Sequence, residues 1–152
     1  MKPEPINAID MLIADHELVK SLFAKFAALG DRSIVTKKKI ADQICHELSV
    51  HMQVEEALFY PTVRPAIKDD DLVEEAEVEH ASAKELIAKI LAMDPGDTLY
   101  DATVTVLSEQ IDHHVGEEEG EMFPKVRKSK VDLTALGQQM QALKEQSDST
   151  VS

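Results

Sequence analysis

Two stretches of the sequence match each other without a gap: HMQVEEALFYP at residues 51–61 and HVGEEEGEMFP at residues 114–124. Each stretch places a glutamate four residues after its histidine, and the pairs are His51 with Glu55 and His114 with Glu118. On a helix, residues four apart lie on the same face, about one turn along the axis. Each stretch is therefore predicted to present one imidazole and one carboxylate from the same side of a helix.

A second repeat lies upstream of these stretches. Asp15-His16 precedes the first stretch, and Glu79-His80 precedes the second at nearly the same separation. The chain is therefore predicted to contain two similar helical hairpins, each with one single histidine and one His-x-x-x-Glu pair. Two such hairpins, packed together, would form a nearly symmetric bundle.

Turn residues and helix breakers divide the chain into four long segments in which apolar residues recur at helical spacing. The predicted helices run from about residue 5 to 28, from 33 to 61–65, from 69 to 93 and from 98 to 124 or a little past it. Asp31 or Ser33 is the predicted N-cap of the second helix, and Pro61 and Pro65 are predicted to end it.

The predicted fold class is all-α. Four helices of this length with short connections indicate an up-down-up-down four-helix bundle, which is assigned to residues 1–130. The segment 131–152 is predicted to be a short polar tail, with room for one short helix near residues 133–144.

The apolar face of each predicted helix contains polar residues that would need a partner in a core. Six residues lie on these faces: His16, His51, Glu55, His80, His114 and Glu118. A buried carboxylate without a partner is strongly disfavoured, and no Lys or Arg shares these faces at the same depth. A multivalent cation is therefore the predicted counter-charge, and neutral imidazoles would complete its coordination.

The composition excludes several classes of function. The net charge of −13 argues against a nucleic-acid partner, which would require a basic face. The single cysteine, Cys45, excludes an internal disulfide and fits a reducing compartment. The opening residues MKPEPINAID carry no apolar leader, and no stretch approaches the ~18 apolar residues of a membrane span. The predicted location is the cytoplasm, without a membrane partner.

Taken together, these motifs resemble those of the hemerythrin-like HHE cation-binding family, over nearly all of residues 9–124. The resemblance implies a hemerythrin-like bundle with these iron ligands: His16, His51, Glu55, His80, His114 and Glu118. Oxygen-carrying hemerythrins have a further histidine where this chain has Lys84. Those carriers also end with an aspartate five residues after its histidine, whereas here Glu118 and Glu119 are both glutamates. The chain thus resembles the four-histidine branch of the family.

The resemblance and the ligand set imply two iron ions per chain with a bridging oxo or hydroxo group. Zinc or another divalent metal is a possible substitute, but structural zinc favours cysteine-rich sites, whereas imidazole with bridging carboxylate suits iron. The expected function is that of a non-haem di-iron protein that binds or reacts with O2, peroxide or nitric oxide. The sequence leaves open whether there is turnover, such as peroxide disproportionation or an oxidase reaction.

Other functions remain open on the sequence alone. One is an iron or oxygen sensor that binds without turnover and signals through a protein partner. Another is a ferritin-like di-iron oxidase, which needs two Glu-x-x-His motifs and glutamates from the other helices. Only one such spacing supports it, from Glu77 to His80. A helical bundle without metal would leave the buried glutamates unexplained.

Several acidic and histidine neighbours of the six residues are predicted to lie at the surface. His46 and His113 are rotated away from the ligand faces of their helices. Glu56 and Glu119 are predicted to continue polar faces, and Glu119 is the alternative ligand if the helix register shifts by one residue.

Four further residues are predicted to have structural rather than chemical roles. Lys84 is expected to extend towards solvent along its aliphatic stem. Tyr60 and Tyr100 could supply a phenolate, but structural roles are predicted for both. Cys45 is predicted to be a small buried apolar residue.

Overall fold

A computed structural model describes residues 7–30 and 33–151, with side chains up to residue 148. Every regular element in these ranges is helical: α1 (Ala8–Ala28), α2 (Ile34–Val54), α3 (Tyr60–Ile67), α4 (Asp70–Ala92), α5 (Tyr100–Glu117), α6 (Phe123–Lys128) and α7 (Leu133–Val151). Two π-helical turns, Glu55–Phe59 and Glu118–Met122, join α2 to α3 and α5 to α6, so these ranges form five helical rods. No helix within them is both long enough and apolar enough to cross a membrane.

Side chains cap the starts of three helices, the third being α7, where the side chain of Asp132 accepts a hydrogen bond from the N–H of Ala135. The Asn7 side chain accepts a hydrogen bond from the first turn of α1, and the Asp69 side chain does the same for α4. Each cap satisfies a backbone N–H group that has no partner within the helix. Ser33 precedes α2 without a side-chain cap. The predicted cap Asp31 and the predicted helix start at residue 5 lie outside the described residues.

The prediction that prolines end the second helix is wrong. Pro61 directly follows the first π turn, in which the N–H of Tyr60 donates to the carbonyl of Glu55. The wider turn moves the proline ring away from the preceding carbonyls, with which it would clash in a regular α-helix. The helix also continues through Pro65, which lies inside α3, and ends at Ile67. The fourth predicted helix continues a little past residue 124, as the prediction allowed, and ends at Lys128.

The prediction of a short polar tail also needs correction. Residues 133–151 form α7, a helix of 19 residues that packs against α1 and α2. Leu136 and Met140 on its inner face are 4% and 0% exposed and belong to the hydrophobic core. The segment is polar overall, but its few apolar residues recur at helical spacing and pack against α1 and α2.

The core consists of two apolar clusters at different heights in the bundle. One includes Leu12, Phe59 and Val73, and the other includes Val19 and Leu48. α1 packs on α2 and α4 packs on α5, while α2–α4 and α1–α5 contacts join these two pairs. Along α1, α2, α4 and the rod that contains α5 and α6, the chain passes from one cluster to the other through a polar layer, which holds the candidate site.

Candidate metal centre

All six predicted site residues lie in the polar layer between the two apolar clusters. Each is at most 8% exposed: His16, His51, Glu55, His80, His114 and Glu118. Their donor atoms form two groups of four, and within each group the atoms lie within 4.8 Å of one another. The structure thus brings together every residue that the sequence had proposed as a ligand.

The first group, called the first subsite, consists of His16, His51, Glu55 and Glu118. Nε2 of His16 lies 3.2 Å from Oε1 of Glu118, and Nε2 of His51 lies 3.1 Å from Oε1 of Glu55. α1 and α2 supply the imidazoles, and the first residue of each π turn supplies a carboxylate.

The second group, called the second subsite, consists of His80, His114 and the same two glutamates. Nε2 of His80 lies 3.1 Å from Oε1 of Glu55, and Nε2 of His114 lies 3.1 Å from Oε2 of Glu118. Both glutamates are therefore shared, and each subsite has two imidazoles of its own.

Buried polar atoms without partners show that the donor set fits a metal. Four such atoms have no hydrogen bond among the described residues: Nε2 of His16, Nε2 of His51, Oε2 of Glu55 and Oε1 of Glu118. Burying such atoms without a partner is costly, so they are rarely left unsatisfied in a core. A cation in the first subsite would satisfy the two imidazole nitrogens and would have carboxylate oxygen of both glutamates beside it, and nitrogen with carboxylate oxygen suits a first-row transition metal.

In each of the four histidines of the centre, Nδ1 is the ring nitrogen that points away from the shared glutamates, and it donates to a carboxylate. The Nδ1–oxygen distances are 2.7 Å for His16 with Glu119, 2.9 Å for His51 with Asp15, 2.7 Å for His80 with Glu56 and 2.7 Å for His114 with Glu79. A carboxylate at Nδ1 fixes the tautomer that leaves Nε2 available to a metal. Glu56 and Glu119 were predicted to lie on solvated polar faces, and that prediction missed their contacts with the histidines. The signal was present, because the two glutamates occupy the same position of the two matched stretches.

Tyr60 contacts the second subsite directly. Its hydroxyl donates to Glu118 and lies 3.3 Å from Oε1 of Glu55 and 3.2 Å from Nε2 of His80. On a regular α-helix a residue five after Glu55 would be rotated by about 140° from it. The π turn reduces this rotation, which is why α-helical spacing did not place Tyr60 at the site. Tyr100 packs against Phe26 instead.

The charges of the centre are strongly coupled. Burial disfavours the charged form of His114, but Glu118, Glu55 and Glu79 outweigh it and raise the pKa of this histidine to about 10. Burial likewise disfavours the charged form of Glu118, yet His114 and His16 hold its pKa well below the usual range. Without metal, protons on imidazoles thus balance the carboxylates. The cluster requires positive charge, which protons or metal ions can supply.

Two lysines reach the outer carboxylates. Nζ of Lys84 lies 2.6 Å from Oε1 of Glu56, and Nζ of Lys144 lies 2.6 Å from Oδ1 of Asp15. The Lys84 side chain is half-exposed, as predicted, but its ammonium group turns back to Glu56.

The remaining neighbours lie away from the centre. His46 is within 3.1 Å of Asp148 on α7, and His113 is 68% exposed at its side chain beside Glu117. Cys45 is buried in the apolar cluster that contains Val19 and Leu48.

A small cavity adjoins the centre. Its volume is about 20 Å³, enough for roughly one water-sized molecule. The four histidines line part of its wall, and apolar side chains such as Val19, Leu48, Ala83, Ile111 and Val115 line the rest.

A model of the hemerythrin HHE cation-binding domain matches residues 7–126. The chain belongs to this family. A solved structure of a hemerythrin HHE cation-binding domain-containing protein from Mycobacterium kansasii superposes with a TM-score of 0.81. That match covers 95% of this chain and 89% of the other at 24% identity, and it shows the fold. Family membership, predicted from the motifs, is confirmed.

Two curated proteins are similar to this chain in sequence. An uncharacterised protein of Mycobacterium tuberculosis is 26% identical over 146 residues, which covers 93% of this chain and 87% of that protein. A DNA nickase of a Nostoc species is 27% identical over 124 residues, or 82% of this chain. The match covers only 34% of the nickase, so this HHE chain spans about a third of that relative's length.

Proposed function

We propose that this HHE-domain chain binds two iron ions, one in each subsite, and uses them to bind or react with O2, peroxide or nitric oxide. The observation that carries the proposal is the sharing of Glu55 and Glu118 by two groups of four donors. Each ion would receive two imidazoles from its own subsite and carboxylate oxygens from both glutamates. Four protein donors per ion leave room for a bridging oxo or hydroxo group and for a small ligand.

The arrangement of the hairpins supports the pairing of the subsites. α1 with α2 and α4 with α5 contribute equivalent histidines, and the connections between successive long helices are short. We therefore also propose the up-down-up-down order for the first four helical rods, with α7 added outside them.

Iron in these subsites would supply a change between the ferrous and ferric states. The chain's own residues would hold and shield it. The carboxylates at each Nδ1 orient the four imidazoles, and the apolar clusters on both sides exclude bulk water. The Tyr60 hydroxyl, already a donor to Glu118, would hold a proton beside the second subsite. The small cavity admits only ligands of a few atoms.

Metal content and optical absorption test the proposal. Protein expressed with adequate iron should contain close to two iron ions per chain. After aerobic purification it should absorb in the near ultraviolet as oxo-bridged diferric iron does, whereas zinc-loaded protein should not. Glu118→Gln, which removes a shared carboxylate, should lose both properties. A single tightly bound ion in iron-replete protein would overturn the assignment of a di-iron centre.

A peroxide assay addresses turnover. If the centre disproportionates peroxide, the iron-loaded protein should release O2 from hydrogen peroxide, and the zinc-loaded protein should not. Iron-loaded protein that releases no O2 from peroxide would favour binding or sensing over this reaction.

A further inference from the structure

Lys144 on α7 is connected to the first subsite through a single carboxylate. Its Nζ lies 2.6 Å from Oδ1 of Asp15, and Oδ2 of Asp15 accepts from Nδ1 of His51 at 2.9 Å. The Asp15 side chain is 14% exposed and that of Lys144 is 26% exposed, so solvent screens this contact only in part.

Lys84 on α4 makes the equivalent connection to the second subsite. Its Nζ lies 2.6 Å from Oε1 of Glu56, and Oε2 of Glu56 accepts from Nδ1 of His80 at 2.7 Å. The Lys84 side chain is 52% exposed, and its charge is therefore more screened than that of Lys144.

Each subsite contains one histidine with such a lysine and one without. In the described part of the chain, no lysine contacts Glu119 behind His16 or Glu79 behind His114. The second oxygen of Glu79 faces His113 instead, at 3.5 Å. The two subsites thus carry the same number of lysine–carboxylate–imidazole chains, although their lysines come from unrelated parts of the sequence.

The chemistry of these chains gives the lysines a direction of effect. A carboxylate on Nδ1 of a metal-bound imidazole makes that imidazole a stronger donor, which stabilises the higher metal charge. An ammonium group on the other carboxylate oxygen withdraws part of the negative charge of that carboxylate. It also places its own positive charge near the metal. Both effects oppose the ferric state relative to the ferrous state.

We propose that Lys144 and Lys84 are positioning residues that raise the reduction potentials of the first and second subsites, respectively, through Asp15 and Glu56. The proposal rests on the proposed di-iron function. Lys144 has the larger effect because it is less exposed. Each lysine acts mainly on the subsite whose histidine its carboxylate contacts.

Reductive titration of the full-length, iron-loaded protein tests this proposal, with dithionite as electron donor and one electron taken up per iron. Lys144→Met removes the charge and keeps most of the side-chain volume. It should shift the ferric-to-ferrous equilibrium of one iron about tenfold towards ferric, or ~59 mV for one electron. Lys84→Met should shift the other iron in the same direction by less, and the double variant should show both shifts. Lys144→Arg, which keeps the charge, should stay close to the unaltered protein.

Lys125→Met is the matched control. Lys125 is also paired with a carboxylate, that of Asp69, but this carboxylate contacts no histidine of the centre. If both methionine variants hold two irons and titrate like this control, the inference is wrong while the di-iron function stands. If Lys144→Met and Lys144→Arg shift the potential equally, the lysine acts by packing rather than by charge, and the inference is also wrong. Absence of an iron pair from the unaltered protein would overturn both proposals.

Discussion

Each histidine of the centre uses its two ring nitrogens for different contacts. Nε2 faces the shared glutamates, whereas Nδ1 donates to a carboxylate further out, such as Glu119 behind His16. Loss of such a carboxylate typically lowers metal affinity 10–100-fold, because the imidazole loses its orientation and part of its donor strength. The contribution of these carboxylates can be measured separately from that of the ligands.

Glu119→Gln is expected to weaken metal binding by roughly that factor of 10–100, because a neutral amide is a poorer acceptor for Nδ1–H of His16. The measurement is a competition titration with a chelator of known affinity. Glu117→Gln is the control, since Glu117 lies two residues away on the same rod and contacts the exposed His113. Equal affinities of the two variants would contradict the role assigned to Glu119.

Ligand histidines should also behave differently from their neighbours in the sequence. His51→Ala and His114→Ala are expected to lose much of the iron, because each removes an imidazole donor facing the glutamates. His46→Ala and His113→Ala should retain it, because these side chains face Asp148 and solvent. Metal analysis of the four purified variants provides the measurement. Iron lost from His113→Ala but kept by His114→Ala would show that α5 is rotated by one residue from the structure described here.

Cys45 should be chemically inert in the folded protein. Burial, with a smaller contribution from Asp42, raises the pKa of its thiol to about 12, so the reactive thiolate is scarce at neutral pH. A chromogenic disulfide reagent at pH 8 is expected to react slowly with native protein and to titrate one thiol after denaturation. Rapid reaction of the native protein would show that the thiol is accessible.

The same thiol makes stability depend on pH. Its pKa is near 9.0 in the unfolded chain and higher in the folded protein, so the free energy of unfolding should fall as pH rises above 9.0.

The sequence predicted the six central residues because its repeat and its helical periodicity point to the same positions. It did not predict the contacts of Asp15 and Glu56, since a carboxylate beside a helix face can equally well be solvated. For Tyr60, which was considered as a phenolate but predicted to be structural, the reason is different. Its position depends on a π turn, and the spacing of apolar residues contains no signal for this local change of helix geometry.

Among the elements, α7 departs most from its prediction. Its sequence is mostly polar, and a helix of this kind is stable only when a neighbouring surface covers its narrow apolar face. α1 and α2 provide that surface, but their exposed apolar groove is a tertiary feature that a local pattern does not reveal.

Met140 tests whether α7 is part of the core. Its side chain is fully buried, so Met140→Ala is expected to lower the free energy of unfolding by about 2–5 kcal/mol. Gln139→Ala, on the exposed side of the same helix, should change it by less than about 0.5 kcal/mol. Chemical denaturation monitored by circular dichroism gives both values. Similar stabilities for the two variants would indicate that α7 does not pack as described.

At the scale of the whole molecule, the metal centre joins the two helical hairpins. Metal that binds only the folded state should stabilise it by RT ln(1 + [L]/Kd), about 4 kcal/mol when free metal exceeds Kd a thousandfold. For a chain of this size, that predicts a rise in Tm of roughly 8–16 °C. The measurement is thermal unfolding of metal-free and iron-loaded protein.

The double variant Glu55→Gln, Glu118→Gln is the control for this measurement. It lacks the carboxylates shared by the two subsites, and added metal should leave its Tm nearly unchanged. Indistinguishable melting of metal-free and loaded unaltered protein would mean that metal does not bind in the core.

The two π turns also bear on how this chain arose. A π turn in a helix corresponds to one extra residue relative to a regular α-helix. Both turns begin at a shared glutamate and end just before an aromatic–proline pair, in the same register of the two matched stretches. A single insertion in an ancestral hairpin, followed by duplication of that hairpin, would account for both. In the described residues α7 has no counterpart after the first hairpin, so it would lie outside the duplicated unit. Such an ancestor would have needed a second copy of itself to bring together the same two groups of four donors.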